Sequence, residues 1–301
     1  MMRAYLQLLR LPNVFTAMAD ILLGFLFTHA SLEPWPEFAL LLCASSLMYL
    51  AGMVLNDYFD QEQDARERPF RPIPSGRVSA RTARSLGWAM VLAGAGLGWG
   101  VTALTGTLRP GVVATLLAVA IVAYDAVLKK TPAGPLAMGA CRMLNVLLGM
   151  SAAGEPWQSV HYVVAGGIGL YITGVTWFAR TEARQSNRPQ LAIAVTVLLA
   201  GIALVASLPR WATGQEWPEV RVPDRWFLFW TVIAVSIGWR CLRAVVDPRP
   251  PMVQAAVKSC IFSLVILDAA ACLAVHGPFW GLVILALLVP TMTLGRWIYS
   301  T

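Results

Sequence analysis

The sequence predicts an all-α fold, a polytopic transmembrane helix bundle of nine to ten spans around a central cavity open toward the cytoplasmic side. Three observations carry this expectation. The 301 residues are 57% hydrophobic and only 13% charged, against the ~25% charge typical of soluble domains. Apolar runs near 20 residues recur along the chain, and about 20 helical residues cross a hydrocarbon core of ~30 Å. The basic residues crowd into alternate connections between those runs.

The runs fall at 13–30, 37–58, 84–105, 110–128, 135–153, 160–179, 190–207, 226–244, 254–275 and 278–297. Only His276-Gly277-Pro278 parts the last two, so nine spans is the alternative count. Counted from a cytoplasmic N-terminus, 18 Lys and Arg lie on the cytoplasmic side and four (Arg109, Arg210, Arg221 and Arg225) on the other, with Arg142 inside a span. That asymmetry orients the chain by the positive-inside rule. It also accounts for the net charge of +7 without a nucleic-acid surface. The C-terminus falls on the cytoplasmic side if ten spans form.

Residues 1–301 read as a single domain, because packed helices satisfy every backbone hydrogen bond internally. Residues 21–27 followed by Thr28-His29-Ala30 resemble a signal peptide, but Asp20 interrupts the apolar region and more spans follow. Cys43, Cys141, Cys241, Cys260 and Cys272 show no metal-type spacing and read as small buried residues. His29, His161 and His276 fall at span ends without clustering. Trp211, Trp217 and Trp226, around the polar stretch 208–225, suit an interfacial belt. The polar stretches 60–83 and 180–190 share a membrane face and together cap one cavity.

The stretch from Asn56 concentrates the chemistry. Asn56, Asp57, Asp60 and Asp64 are spaced by three and four residues, so a helix continuing through them places all four on one face. Like charges at that spacing repel, and a membrane boundary worsens the conflict. A divalent cation removes it, and Mg²⁺ takes carboxylate and phosphate oxygens. Arg66, Arg68, Arg71 and Arg77 follow in a Pro-rich loop, Arg68-Pro69-Phe70-Arg71-Pro72-Ile73-Pro74-Ser75-Gly76-Arg77. Guanidinium forks match phosphate oxygens, so the pair of segments points to Mg²⁺ and a diphosphate.

These residues resemble the UbiA superfamily of membrane prenyltransferases. Asn56, Asp57, Asp60 and Asp64 fit its Asn-Asp-x-x-Asp-x-x-x-Asp signature, and Arg71, Pro72, Pro74 and Gly76 the loop after it. Arg10-Leu11-Pro12-Asn13 is similar to the family's entry to the first helix. Tyr124 with Lys129, and Arg142 with Asn145, resemble later signatures. The resemblance implies Mg²⁺-dependent transfer of an isoprenyl group from isoprenyl diphosphate to a small, aromatic acceptor in the membrane. It implies Asp57, Asp60, Asp64 and Lys129 as catalytic residues. Asn13, Asn56, Arg68, Arg71, Tyr124, Arg142, Asn145, Glu182 and Arg184 are the implied substrate-binding set. Asp57, Asp60, Asp64 and Glu182 are the implied metal ligands. Tyr58, Phe59, Tyr124 and Tyr171 are candidate ring faces for an allylic cation.

One segment departs from the pattern. A second paired-aspartate motif is expected after the sixth span, but residues 180–188 carry one carboxylate, Glu182, among Arg180, Arg184 and Arg188. In this the chain resembles the EboC-like branch of the superfamily. The departure keeps a second reading open, a catalytically degenerate protein that binds or transports a prenyl lipid or a secondary-metabolite precursor. A CDP-alcohol phosphotransferase is excluded by the missing Asp-Gly start of its motif. Asp20, Asp125, Arg142 and Asp268 are costly within spans and must pair or face a cavity, Arg142 with either Asp125 or Asp20.

Overall fold

The computed structural model describes residues 2–182, 185–212 and 220–297. Its α-helices are α1 (Met2–Leu8), α2 (Val14–Leu26), α3 (Trp35–Phe59), α4 (Gln61–Glu67), α5 (Ala80–Thr105) and α6 (Arg109–Ala126). They continue with α7 (Gly134–Gly149), α8 (Ser159–Ala179), α9 (Arg188–Ala206), α10 (Trp226–Val246), α11 (Pro250–Ala286) and α12 (Leu288–Trp297). Helix starts follow from local chemistry. Ser79 caps α5 by accepting from the Thr82 amide at 3.0 Å. Proline occupies the first turn of α3, α6, α7, α9 and α11, where its missing N–H has no partner to lose.

Eight helical stretches are long and apolar enough to cross a membrane, and the bent pair Met2–Leu8 with Leu11–Leu26 supplies a ninth. One of the eight, Pro250–Trp297, is 48 residues long and contains Gly277 at φ 67°, ψ −167°. Only glycine adopts that conformation readily, and there the chain turns back. A Cβ built on Gly281 would lie 3.2 Å from the Ala269 carbonyl, so the segment after the turn packs on the one before it. The reversal supports the upper expectation of ten spans.

Small residues let the central helices approach closely. A Cβ on Gly149 of α7 would meet the Ile21 carbonyl at 2.7 Å and the Gly24 Cα of α2 at 3.1 Å. This is the small-residue contact that membrane helices use in place of a hydrophobic driving force. Gly149→Val is expected to cost about 1–3 kcal/mol by overpacking, read as a lowered melting midpoint in detergent. Gly96→Ala is the control, since nothing lies within 4 Å of its added methyl.

Two surface expectations change. Trp226 is buried, donating its Nε1 hydrogen to the Ala206 carbonyl at 2.7 Å, so it is a core residue and not part of a belt. Trp211 is exposed, and Trp217 lies outside the described residues. Cys43 is exposed while the other four cysteines are buried, with the Cys241 and Cys260 sulfurs 3.5 Å apart as free thiols.

Candidate active site

Helix α3 does not run on through its acidic segment. It ends at Phe59, and Asp60 leaves helical geometry at φ −95°, ψ 6° before α4 begins. The Asp60 N–H still donates to the Asn56 carbonyl at 3.0 Å and the Asp64 N–H to the Asp60 carbonyl at 2.8 Å, so the helical course is nearly kept while the side chains take different partners. Arg71 Nη1 donates to Asp64 Oδ2 at 2.6 Å and to Asp57 Oδ1 at 3.3 Å. Arg10 Nη2 donates to the same Asp57 oxygen at 2.9 Å. On the other side, Lys129 Nζ donates to Asp60 Oδ2 at 2.8 Å and to the Asn56 carbonyl at 3.4 Å. Asn56 Nδ2 donates to Asp125 Oδ1 at 3.0 Å. The repulsion that the spacing creates is thus relieved by cations, Arg71 shared between Asp57 and Asp64, Arg10 on Asp57 and Lys129 on Asp60.

The expected metal set of Asp57, Asp60, Asp64 and Glu182 is not assembled. Among the described residues, no three acidic, His or Cys side chains converge as ligands. One feature does fit a divalent ion. Asp60 Oδ1 is buried without a hydrogen-bond partner, and Lys130 Nζ stays 3.9 Å away. An unpartnered buried carboxylate oxygen is one hard-oxygen donor of the kind that Mg²⁺ prefers.

The loop after α4 is folded by its own polar groups. Ser75 Oγ donates to the Arg71 carbonyl at 2.6 Å, Gly76 turns at φ 73°, and Arg77 reaches Gln7 Oε1 at 2.8 Å. Arg10 sits at φ 46°, the only non-glycine with positive φ among the described residues. That conformation is costly for a side chain that could relax, and here it aims the guanidinium at Asp57.

Of these groups, Arg10, Asn56 and Asp125 reach the wall of a cavity of about 390 Å³, within the range of small-ligand sites. Its wall is apolar, with Met48, Leu117, Ile121, Met138, Ile172 and Leu264. Arg10, Asn56, Tyr124, Asp125 and Glu182 line one end. Asn13, Ser45, Tyr49, Arg142 and Asn145 line another part, backed by a buried network. Arg142 Nη1 donates to Asp20 Oδ2 at 2.8 Å, its Nη2 to Thr16 Oγ1 at 2.7 Å, and Asn145 Nδ2 to Asp20 Oδ2 at 2.9 Å.

Residues 17–260 match the UbiA prenyltransferase family. The chain belongs to that family. Two relatives are digeranylgeranylglyceryl phosphate synthases. The one from Ignicoccus hospitalis is 37% identical over 157 residues, 51% of this chain and 48% of the relative. The one from Methanopyrus kandleri is 34% identical over 165 residues, 52% and 57%. The chain spans about half the length of the curated relatives it matches. A UbiA homologue from Archaeoglobus fulgidus, solved with DMAPP and Mg²⁺, superposes with a TM-score of 0.65 at 14% identity, covering 94% of this chain and 99% of that one. It shares the fold.

The site residues expected from the sequence divide in this chain. Asn13, Asn56, Tyr124, Arg142, Asn145 and Glu182 line the cavity, whereas Asp57 and Arg71 line a smaller one beside it with Gln7, Phe70 and Arg77. Asp64 is buried against Arg71. Arg68 stands near Glu182, which feels its charge first and that of Arg10 next, and Arg184 lies outside the described residues. Arg142 pairs with Asp20, while Asp125 takes Asn56, which settles the two pairings left open by the sequence. Tyr171 is buried elsewhere, its hydroxyl on the Cys260 carbonyl at 2.8 Å, and Tyr58 and Phe59 are not in the cavity wall.

Sequence reasoning missed Tyr49, over whose ring the Arg142 guanidinium sits at 5.4 Å. Its signal was the spacing of Tyr49, Met53 and Asn56, one stripe of a helix. It also missed Arg10 as a site residue.

Burial raises the Glu182 carboxyl above its ordinary 4.5, with Arg68 and Arg10 pulling the other way. The native chain therefore holds that proton more tightly than the unfolded chain. The stability this adds is fully present below 4.5 and lost as pH rises through the raised native value. Glu182→Gln is expected to melt higher than the parent at pH 7, with the gap closing as pH falls toward 4.5.

Proposed function

We propose that this chain transfers an isoprenyl group from isoprenyl diphosphate to a small acceptor within the membrane, with Mg²⁺ as cofactor and an N-terminus in the cytoplasm. One observation supports the reading above the rest. An apolar chamber is bordered by Arg10 and Asn56, and these two residues bond directly to the neighbouring carboxylate–cation pairs through Asp57 and Lys129, pairs that an incoming metal diphosphate can exchange. Arg10, Arg71 and Lys129 neutralise Asp57, Asp64 and Asp60. Were a diphosphate to draw these cations to its oxygens, Asp57, Asp60 and Asp64 would be the residues to hold Mg²⁺, with Asp60 Oδ1 already free of a hydrogen-bond partner. Glu182, on the chamber wall near Arg68 and Arg10, would be the further carboxylate available to it. When bound, the metal neutralises charge developing on the leaving diphosphate.

The chain supplies the rest. Arg10, Arg68, Arg71 and Lys129 donate to phosphate oxygens as the allylic C–O bond ionises. The walls of Met48, Ile121, Met138 and Leu264 exclude water from the carbocation. The rings of Tyr49 and Tyr124 present faces that stabilise positive charge. Asn13, Ser45 and Asn145 orient the acceptor, for which a small aromatic molecule suits the Tyr49 ring. The Archaeoglobus homologue solved with DMAPP or GPP and Mg²⁺, and relatives whose names are prenyl-transferring synthases, support the donor class.

The lone Glu182 in place of an aspartate pair favours the second reading, a carrier of prenyl lipids without catalysis. Labelled isoprenyl diphosphate and mixed acceptors supplied to the reconstituted chain separate the two. Transfer predicts a prenylated product. Passage of label across the bilayer with the diphosphate intact supports the carrier and overturns the transferase.

A further inference from the structure

Behind the chamber wall lies a charged group that the proposed reaction does not use. Asp20 of α2 and Asp268 of α11 are both fully buried at 0% exposure. Arg142 and Asn145 both donate to a single Asp20 oxygen, Oδ2. That leaves Asp20 Oδ1, Asp268 Oδ1 and Asp268 Oδ2 buried without a donor. The two carboxyl groups nevertheless lie within hydrogen-bonding reach of each other.

Two ionised carboxylates cannot satisfy each other, because neither carries a hydrogen. Ionised together beside one guanidinium, they would also leave one negative charge uncompensated inside the bilayer, which is among the costliest arrangements a membrane protein can hold. A single proton resolves both conflicts. It supplies the missing donor and brings the group to neutrality. We propose that Asp20 and Asp268 share one proton, carried by Asp268 and donated to Asp20 Oδ1. With Arg142 they form a neutral centre that fixes the guanidinium against Tyr49 and the chamber wall.

The assignment of the proton follows from the partners. Asp20 accepts from Arg142 and Asn145, which favours its ionised form, whereas Asp268 accepts from no donor among the described residues. The other titratable groups facing the pair are Tyr49 of α3, Tyr171 of α8 and Cys272 of α11. Tyr171 spends its hydroxyl hydrogen on the Cys260 carbonyl. Asp268 is thereby a positioning residue, acting on the chamber through Arg142, and the inference stands whether or not the chain is a transferase.

Infrared spectra and melting curves of the full chain in detergent test it. The parent at neutral pH is expected to show a protonated-carboxyl stretching band that Asp268→Asn lacks. Asp268→Asn should melt within a few degrees of the parent, its amide N–H donating to Asp20 as the acid did. Asp268→Ala, with no donor, should melt clearly lower. Asp268→Glu keeps an acid and should keep a shifted band, which preserves the test if the asparagine variant fails to fold. Two results overturn the proposal. One is a parent spectrum in which the band is unchanged by substitution at 268. The other is melting that depends on Na⁺ or K⁺ and loses that dependence in Asp268→Asn, which would make the pair a metal-cation site.

Discussion

Asp60→Asn lowers isoprenyl transfer on the order of 10²–10³-fold, the size of effect seen when one preorganised electrostatic group is removed from a transition state, while the melting midpoint changes little. Asp60 is the carboxylate whose Oδ1 has no hydrogen-bond partner and whose Oδ2 is held by Lys129 at 2.8 Å. The amide keeps the shape and an acceptor for Lys129 but removes the charge proposed to bind a divalent ion. The Mg²⁺ concentration needed for half-maximal activity should rise in the same variant. Comparable losses at Asp57 or Asp64 with none at Asp60 would move the metal to the Arg71 side.

Arg142→Met costs about 3–5 kcal/mol of stability, the range for removing one partner of a buried ion pair. Arg142 bridges α7 to α2 through Asp20 and Thr16, and its loss leaves the Asp20 carboxylate inside the bundle with only Asn145 donating to Oδ2. The double variant Asp20→Asn, Arg142→Met removes both charges and should melt above the single Arg142 variant. That non-additive recovery is the mark of a direct pair. Denaturant or thermal unfolding in detergent measures both. Equal destabilisation in the single and double variants would show that packing, not charge, sets the cost.

Much of the architecture was legible because the bilayer imposes a simple rule on sequence. Apolar runs of crossing length mark the helices, and even the tenth run showed in the His276-Gly277-Pro278 punctuation, where Gly277 does reverse the chain. The candidate site was legible as a set of residues and not as an arrangement. Asn56, Tyr124, Arg142, Asn145 and Glu182 do meet around one cavity. The partners of the aspartates were not readable, because periodicity shows where a helix face would lie, not which cation from elsewhere in the chain meets each carboxylate on it. The choice of Asp20 over Asp125 for Arg142 depended on tertiary placement of α2, which no local spacing encodes. Tyr49 was hidden for the opposite reason, as one apolar-looking ring among many in a membrane helix.

The central claim is that the Asp57, Asp60 and Asp64 ion pairs exchange their cations for a metal-bound diphosphate. Calorimetric titration of the purified chain with a non-reactive isoprenyl thiodiphosphate tests it most directly. Tight binding with Mg²⁺ present, lost on chelation and weakened in Asp60→Asn, is the expected result. Binding of equal strength without Mg²⁺, or unaffected by Asp60→Asn, would contradict the exchange.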